Sequence, residues 1–191
     1  PSLPVARPPH SRILCPELVV PKRCECVLVI PTHSLSEGHL HIKDLKGNTV
    51  LRASRRNPGG GKHAAEGDIG PQLMIMTAQG NVVSQCYLVR REGVKEFRLF
   101  DATNNHFATL VNDHAKQCTT LNTVTGSKYD FTGSFDARSV NVMDREGKYC
   151  ASTERCASSF DSSSEHYRLR AAPLTDVGLL LCSFLCVDHL A

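Results

Sequence analysis

The sequence predicts a mainly β protein, a closed barrel of about twelve strands around a central hydrophobic C-terminal α-helix. Two observations carry this prediction. The segment 177–190, VGLLLCSFLCVDHL, is apolar on every helical face, and such a helix has to be buried on all sides. The chain before it shows strand-like alternation and turns, with almost no helical periodicity. A sheet that closes around the helix buries it and also removes exposed sheet edges.

The bulk composition is that of an ordinary soluble domain. The chain has 191 residues, of which 41% are hydrophobic and 21% charged, and its net charge is +3. It is long enough for one domain with a full core. We expect an extended proline-rich lead-in over 1–14 and a single, monomeric domain over 15–191. Tryptophan is absent and aromatic residues are few, so no nucleic-acid partner is expected.

The strands are predicted in chain order from turn chemistry and alternation. Short strands bounded by prolines are expected over 15–31. In the segment 39–43, HLHIK, Leu40 and Ile42 face one way and the polar residues the other. Four hairpins follow, each with Gly or Asn where a positive φ is tolerated. Their turns lie around 46–48, 80–81, 104–105 and 146–147.

Further strands are predicted over 118–124, 128–132 and 166–171. In the last of these, Tyr167, Leu169 and Ala171 are predicted to face inward, and Arg168 and Arg170 outward. Two surface loops are also expected, a glycine-rich one over 55–71 and a serine-rich one over 156–164.

The terminal helix is predicted to start after Pro173. Thr175 is the expected N-cap, and Asp176 suits the positive end of the helix dipole. The fourteen residues of 177–190 reach about 21 Å at 1.5 Å per residue, whereas a membrane span needs about 20 apolar residues. A buried core helix is therefore the favoured interpretation.

The nine cysteines favour a reducing, cytoplasmic setting. Their number is odd, and no C-x-x-C pair exists to bind structural zinc. Five lie in apolar runs, where free cysteine behaves as a small hydrophobic residue; they are Cys26, Cys86, Cys150, Cys182 and Cys186. Cys24 is a candidate for modification if it is exposed.

The serial hairpins and the C-terminal segment YRLRAAPLTDVGLLLCSFLCVDHL resemble the tubby-like superfamily. The similarity is greatest to its LURP-one-related and phospholipid scramblase branches, in which a DxxG hairpin recurs; here it occurs at 44–47 and 144–147. A terminal D-V/A-x-L-L-L helix ends near an acidic residue in these branches, and Asp176 and Asp188 occupy those places. The resemblance covers 15–191 and implies a twelve-stranded barrel around a hydrophobic helix.

The resemblance implies a non-enzymatic binding module, peripheral to a membrane, for a phosphoinositide-like headgroup or a protein partner. Scramblase-like phospholipid transfer, or a signalling or scaffold domain with no small ligand, are the alternatives. No calcium-binding acidic stretch precedes the helix: the run EHYRLRAA contains only Glu165 as an acid. No hydrolase or metalloprotease motif occurs, and no cofactor is expected.

Two basic groups are the candidate headgroup ligands, because converging cations form charge-assisted contacts with phosphate. The opposing interpretation is an ordinary solvated surface, with nearby acids offsetting the second group. The candidates are Arg52, Arg55, Arg56, Lys62, Arg90, Arg91, Lys95 and Arg98.

Two other motifs are rejected as functional sites. The GGGK run at 59–62 departs from a phosphate-binding loop, because Arg56 holds the early glycine position and His63 follows Lys62. His39 and His41 share a strand face, but no third metal ligand is placed by the sequence, so no metal is expected.

Overall fold

A computed structural model of the chain describes residues 13–32, 39–56, 69–91, 94–113, 118–157, 160 and 165–190. Twelve antiparallel strands close into a barrel, each pairing with its neighbour in sequence, and β1 pairs with β12. The strands are β1 Cys26–Pro31, β2 His39–Lys43, β3 Thr49–Arg56, β4 Ile69–Thr77, β5 Val82–Arg91, β6 Val94–Asp101, β7 His106–Asp113, β8 Cys118–Thr123, β9 Lys128–Ser134, β10 Ser139–Asp144, β11 Tyr149–Cys156 and β12 His166–Ala171.

The barrel has two different ends. At the turn end, tight hairpin turns join consecutive strands, and the helix α1, Val177–Leu190, begins. The turns at this end span 44–48, 77–81, 101–105, 123–127 and 144–148. At the opposite end, here called the loop end, the other strand connections lie and α1 finishes. All four predicted hairpins are confirmed, together with a further one at 123–127.

Helix α1 fills the barrel, as predicted. Leu180, Leu181 and Leu185 have no solvent exposure, and Phe184 is 2% exposed. The ring of Phe184 packs edge-on against that of Phe131 on β9, with centroids 5.2 Å apart. Inward-facing strand residues complete this core, and the predicted alternation of β2 and β12 is confirmed: Leu40, Ile42, Leu169 and Ala171 are all fully buried, and Tyr167 is 1% exposed.

The helix N-cap is Asp176, so the prediction of Thr175 was wrong. Asp176 Oδ1 accepts a hydrogen bond from the Leu179 amide at 3.0 Å, which is the N-cap to N3 geometry. Asp176 Oδ2 accepts one from the Leu14 amide at 2.6 Å. The Thr175 hydroxyl instead donates to the Cys150 carbonyl at 3.3 Å, because the chain turns back over β11 before the helix starts.

The start of the domain also differs from the prediction of short strands over 15–31. Residues Pro16–Leu18 form a 3₁₀ turn, Val19 makes an isolated bridge to Asp176, and regular pairing begins only at Cys26. The proline at the first position of the turn needs no amide partner there, which favours the helical conformation. Residues 13–20, here called the N-terminal strap, therefore cross the turn end over the start of α1.

Gly178 lies where the strap contacts the helix. A Cβ at this position would be 2.8 Å from the Cβ of Cys15, closer than real side chains approach. We expect Gly178→Ala to lower the free energy of unfolding by about 1–3 kcal/mol through overpacking. That cost exceeds the roughly 1 kcal/mol that alanine gains over glycine within a helix. Urea denaturation measures the difference.

Cys15→Gly removes the opposing Cβ and serves as the matched control. The double variant Cys15→Gly/Gly178→Ala should be more stable than Gly178→Ala alone, because the two atoms that collide are no longer both present. If the changes in unfolding free energy of the two single variants simply add in the double variant, contact with Cys15 is not what disfavours a larger residue at position 178.

The glycine-rich loop is shorter than predicted, and the serine-rich loop is not wholly solvent-facing. Strand β3 continues through Arg56 and β4 begins at Ile69, so only 57–68 of the glycine-rich loop remain, outside the described residues. In the serine-rich loop, Phe160 is half-buried rather than solvent-facing. Its ring lies 4.9 Å from the Lys43 ammonium and 6.1 Å from the His166 ring. Apolar burial of this side chain holds residue 160 against the barrel wall.

Candidate functional site

Seven of the eight predicted basic residues lie on strands β3, β5 and β6, and five of them are near the loop end. Because adjacent strands are antiparallel, the end of β3, the end of β5 and the start of β6 all meet there. We call five of these residues the basic rim. They are Arg55, Arg56, Arg90, Arg91 and Lys95.

Register relates the rim residues to one another. Arg90 is directly opposite Lys95, and Arg91 is opposite Val94. Arg55 and Lys95 are exposed, whereas only the backbone is described for Arg56, Arg90 and Arg91. Adjacent strands are about 4.8 Å apart, so β3 and β5 are separated by about 10 Å, with β4 between them.

The remaining predicted ligands are less available. Arg98 is 31% exposed and pairs with Glu96 at 2.9 Å, so its charge is partly neutralised. Arg52 lies on the outer face of β3 opposite His41, and its Nε is buried without a hydrogen-bond partner. Lys62 lies outside the described residues.

A polar triangle on the outer face separates the β3 arginines from Arg98. Gln72 Nε2 donates to Gln85 Oε1 at 2.6 Å and lies 3.1 Å from the Tyr87 hydroxyl, which donates to the same Gln85 oxygen at 3.1 Å. Cross-strand pairing runs from Arg56 through Gln72 and Tyr87 to Arg98. This face therefore offers amide and hydroxyl groups between two basic strands.

A buried charged cluster closes the barrel at the loop end, where α1 finishes. Asp188 accepts a hydrogen bond from the Tyr167 hydroxyl at 3.0 Å and forms an ion pair with Arg138. The Asp188 side chain is only 4% exposed, and the Arg138 guanidinium also lies over the Tyr167 ring, 5.4 Å from its centroid. Arg138 ties the turn between β9 and β10 to the helix.

Burial raises the pKa of Asp188 from 3.8 to about 6, although Arg138 and the Tyr167 hydrogen bond both act to lower it. The same carboxylate contributes to raising the pKa of Tyr167 well above its usual value, after burial as the main cause. Sequence reasoning missed this cluster. An acid at the end of an apolar helix signals the need for a partner, but nothing local identifies Arg138, which is fifty residues away along the chain.

The cysteines and histidines show no assembled reactive centre in the described chain. All nine cysteines are free thiols. Cys86, Cys182 and Cys186 are 0–1% exposed inside the barrel, so the prediction that they pack as hydrophobic residues is confirmed. Cys24 is exposed. No group of three or more His, Cys, Asp or Glu among the described residues is arranged to hold a metal ion.

Within the described residues, no helix has the length and apolar character of a membrane span. A closed twelve-stranded barrel around one C-terminal helix is the architecture of the tubby-like superfamily. The LURP-one-related family model matches residues 27–188, and this chain belongs to that family. Tubby-like proteins of this kind are generally non-enzymatic, and their fold is consistent with a binding module.

The X-ray structure of an Arabidopsis thaliana protein shares this fold. It aligns with a TM-score of 0.65 and 14% sequence identity, covering 94% of this chain and 98% of that one. At this identity the likeness concerns the fold alone. No curated protein sequence matches the chain.

Proposed function

We propose that this protein is a non-enzymatic, cytoplasmic module that binds a phosphorylated lipid headgroup at a membrane surface. The observation that carries the proposal is the meeting of basic residues from β3, β5 and β6 at the loop end. Several cations within about 10–14 Å match a headgroup with more than one phosphate. On the outer face, Arg56 is paired with Gln72 of the polar triangle, whose amide and hydroxyl groups suit the hydroxyls of an inositol-type ring.

Charge in this region supports surface attraction as well as specific contact. Each Lys or Arg near an anionic membrane contributes about 1 kcal/mol. Arg55 and Lys95 are exposed and form no ion pair among the described residues. Glu96 neutralises Arg98 instead, so we assign the rim, rather than the centre of the wall, to the phosphates.

The scramblase-like alternative requires the terminal helix to contact lipid. In this fold the helix lies inside the barrel: Val177 and residues 179–186 are at most 3% exposed, and Gly178 is also buried. Peripheral headgroup binding needs no such exposure. A bound monomer with the loop end against the membrane is therefore the arrangement we propose.

Vesicle sedimentation tests this function. Wild-type protein should bind vesicles that contain a phosphatidylinositol bisphosphate more tightly than neutral phosphatidylcholine vesicles. The variants Arg55→Glu/Arg56→Glu and Arg90→Glu/Arg91→Glu should each bind at least about tenfold more weakly, since two cations become anions. Equal sedimentation with both vesicle types would refute the proposal.

The matched control is Arg145→Glu/Lys148→Glu, which makes the same charge change at the turn end. It should retain binding, because these residues face away from the proposed membrane contact. Phosphatidylserine vesicles of equal surface charge separate headgroup recognition from simple attraction. Equal affinity for the phosphoinositide and the phosphatidylserine vesicles would show that the protein binds anionic surfaces by charge alone and does not recognise the headgroup.

A further inference from the structure

The turn end collects the exposed apolar side chains of this protein. Among the described residues, the large hydrophobic side chains that are exposed all lie at this end, at the turns or beside the strap. They are Ile13, Leu45, Val124, Tyr149 and Leu174. Scattered apolar exposure needs no explanation, but its restriction to one end of the barrel indicates an interaction surface.

Leu174 is the least expected residue on this surface. Its φ is +64°, a left-handed conformation that disfavours leucine. Its amide donates to the Val20 carbonyl at 2.8 Å, and the next residue's carbonyl accepts from the Val20 amide at 3.0 Å, so the backbone is held on both sides. The side chain is nevertheless 56% exposed. Leucine at this position therefore gains little from folding and bears a conformational cost.

Leu174 lies between two adjoining cavities. The larger, of about 320 Å³, lies between the 123–127 and 144–148 turns and is also lined by Tyr149 and Pro173. The smaller, of about 100 Å³, lies against the strap beside Ile13. Ser127, Tyr129 and Leu174 line both of them. Two neighbouring depressions with an apolar ridge suit successive side chains of an extended peptide.

The charged side chains at the larger cavity indicate which kind of peptide would bind there. Arg145 and Lys148 line it and form no ion pair in the described chain. Asp144 Oδ1 accepts hydrogen bonds from the amides of Glu146 and Lys148, at 2.9 Å each, and the carboxylate keeps its negative charge. Lys128 pairs with Asp130 at 3.0 Å. The charged side chains that line the cavity are three cations and two acids, which leaves a net positive charge; they are Lys128, Arg145, Lys148, Asp144 and Glu146.

We propose that this cleft, formed by the 123–127, 144–148 and 172–175 turns, binds an extended acidic and apolar peptide segment of a protein partner. Apolar side chains fill the two depressions on either side of Leu174, and carboxylates contact Arg145 and Lys148. The cleft is at the opposite end of the barrel from the basic rim. A protein held on a membrane by its loop end would present this cleft to the cytoplasm, yet peptide binding does not depend on lipid binding.

Selection from a display library of random short peptides tests the proposal. Peptides enriched on the wild-type protein should combine Asp or Glu with Leu, Phe or Tyr. Their synthetic versions should bind Leu174→Ala and Arg145→Glu/Lys148→Glu at least about tenfold more weakly in fluorescence anisotropy. Alanine adopts the left-handed conformation no more easily than leucine, so Leu174→Ala should not alter the backbone.

Matched controls lie on the same end of the barrel. Leu45 is also 56% exposed but does not line the cleft, so Leu45→Ala should bind the selected peptides like the wild type. Lys46→Glu, in the same turn, is the control for charge reversal. Peptides that lack acidic residues, or that bind Leu174→Ala with undiminished affinity, would overturn the proposal. Self-association that Leu174→Ala abolishes would assign the surface to a second copy of the chain instead.

Discussion

Deletion of residues 176–191 is expected to leave a protein without a cooperative unfolding transition. Six large side chains of α1 are 0–3% exposed; they are Val177, Leu179, Leu180, Leu181, Phe184 and Leu185. At about 2 kcal/mol each, their burial contributes roughly 12 kcal/mol gross, an upper estimate. A typical domain has a net stability of only about 5–15 kcal/mol, so the barrel should not persist around an empty interior.

Differential scanning calorimetry and near-ultraviolet circular dichroism measure the outcome. The truncated protein should be insoluble, or soluble without a sharp transition or a fixed aromatic environment. Leu181→Ala is the graded control: it should lose about 2–5 kcal/mol but keep a sharp transition. A truncated protein that unfolds cooperatively would show that the strands alone define the fold.

Removal of Arg138 should produce the largest effect of a single substitution, about 3–5 kcal/mol near neutral pH. Asp188 is almost fully buried, and without its partner it must either remain charged in an apolar setting or take up a proton. Arg138→Ala also removes a guanidinium from the Tyr167 ring. Urea denaturation at about pH 7.5 and about pH 4.5 separates the electrostatic loss from the packing loss.

The pH dependence follows from the raised pKa of Asp188. Its folded-state pKa is about 6 against an ordinary value of 3.8, so the folded protein binds this proton more tightly than the unfolded chain. The associated stability is fully present below about pH 4 and is lost as the pH rises through about 6. We expect the wild type to lose on the order of 3 kcal/mol over this interval from this group. The loss of stability caused by Arg138→Ala should be greatest above about pH 6.

Asp188→Asn is the matched control, because it keeps the shape and removes the charge. The contribution of this site to its free energy of unfolding should change little between about pH 4.5 and pH 7.5. Arg138→Ala/Asp188→Asn should be more stable near neutral pH than Arg138→Ala alone. If Arg138→Ala were equally destabilising at both pH values, its contact with the Tyr167 ring would account for the effect.

Local patterns made the secondary structure predictable. The bounds of α1 and β12 agree with the sequence prediction, because an all-apolar helix and a strict alternation are recorded in consecutive residues. The hairpins were predictable because Gly47 and Gly147 hold positive φ angles that other residues seldom adopt. The N-cap was misplaced by one residue because Thr175 and Asp176 are both good capping residues, and the path of the chain over β11 decides between them.

The candidate site was only partly predictable. Clusters of Arg and Lys are visible in the sequence, but their spatial relation depends on strand order and register. Arg98 was a candidate ligand, and the opposing interpretation, that nearby acids offset its group, applies to it: Glu96, two residues earlier on the same strand face, pairs with it. That pairing follows from the period of two and was available to sequence reasoning. The polar triangle combines Gln72 with Gln85 and Tyr87 on a neighbouring strand, and no local pattern indicates it.

By itself, the sequence determined the class of fold. It contains one helix that is apolar on every face and many short strands, and a sheet that closes into a barrel buries such a helix. Only the tertiary structure decided which distant groups meet, namely Arg138 with Asp188, the strap with Gly178, and Leu174 with the two cavities at the turn end. The physical reason is that hydrophobic patterning acts over a few residues and depends on side-chain type. Pairing of charges and formation of clefts depend on register and chain path, which the whole barrel sets.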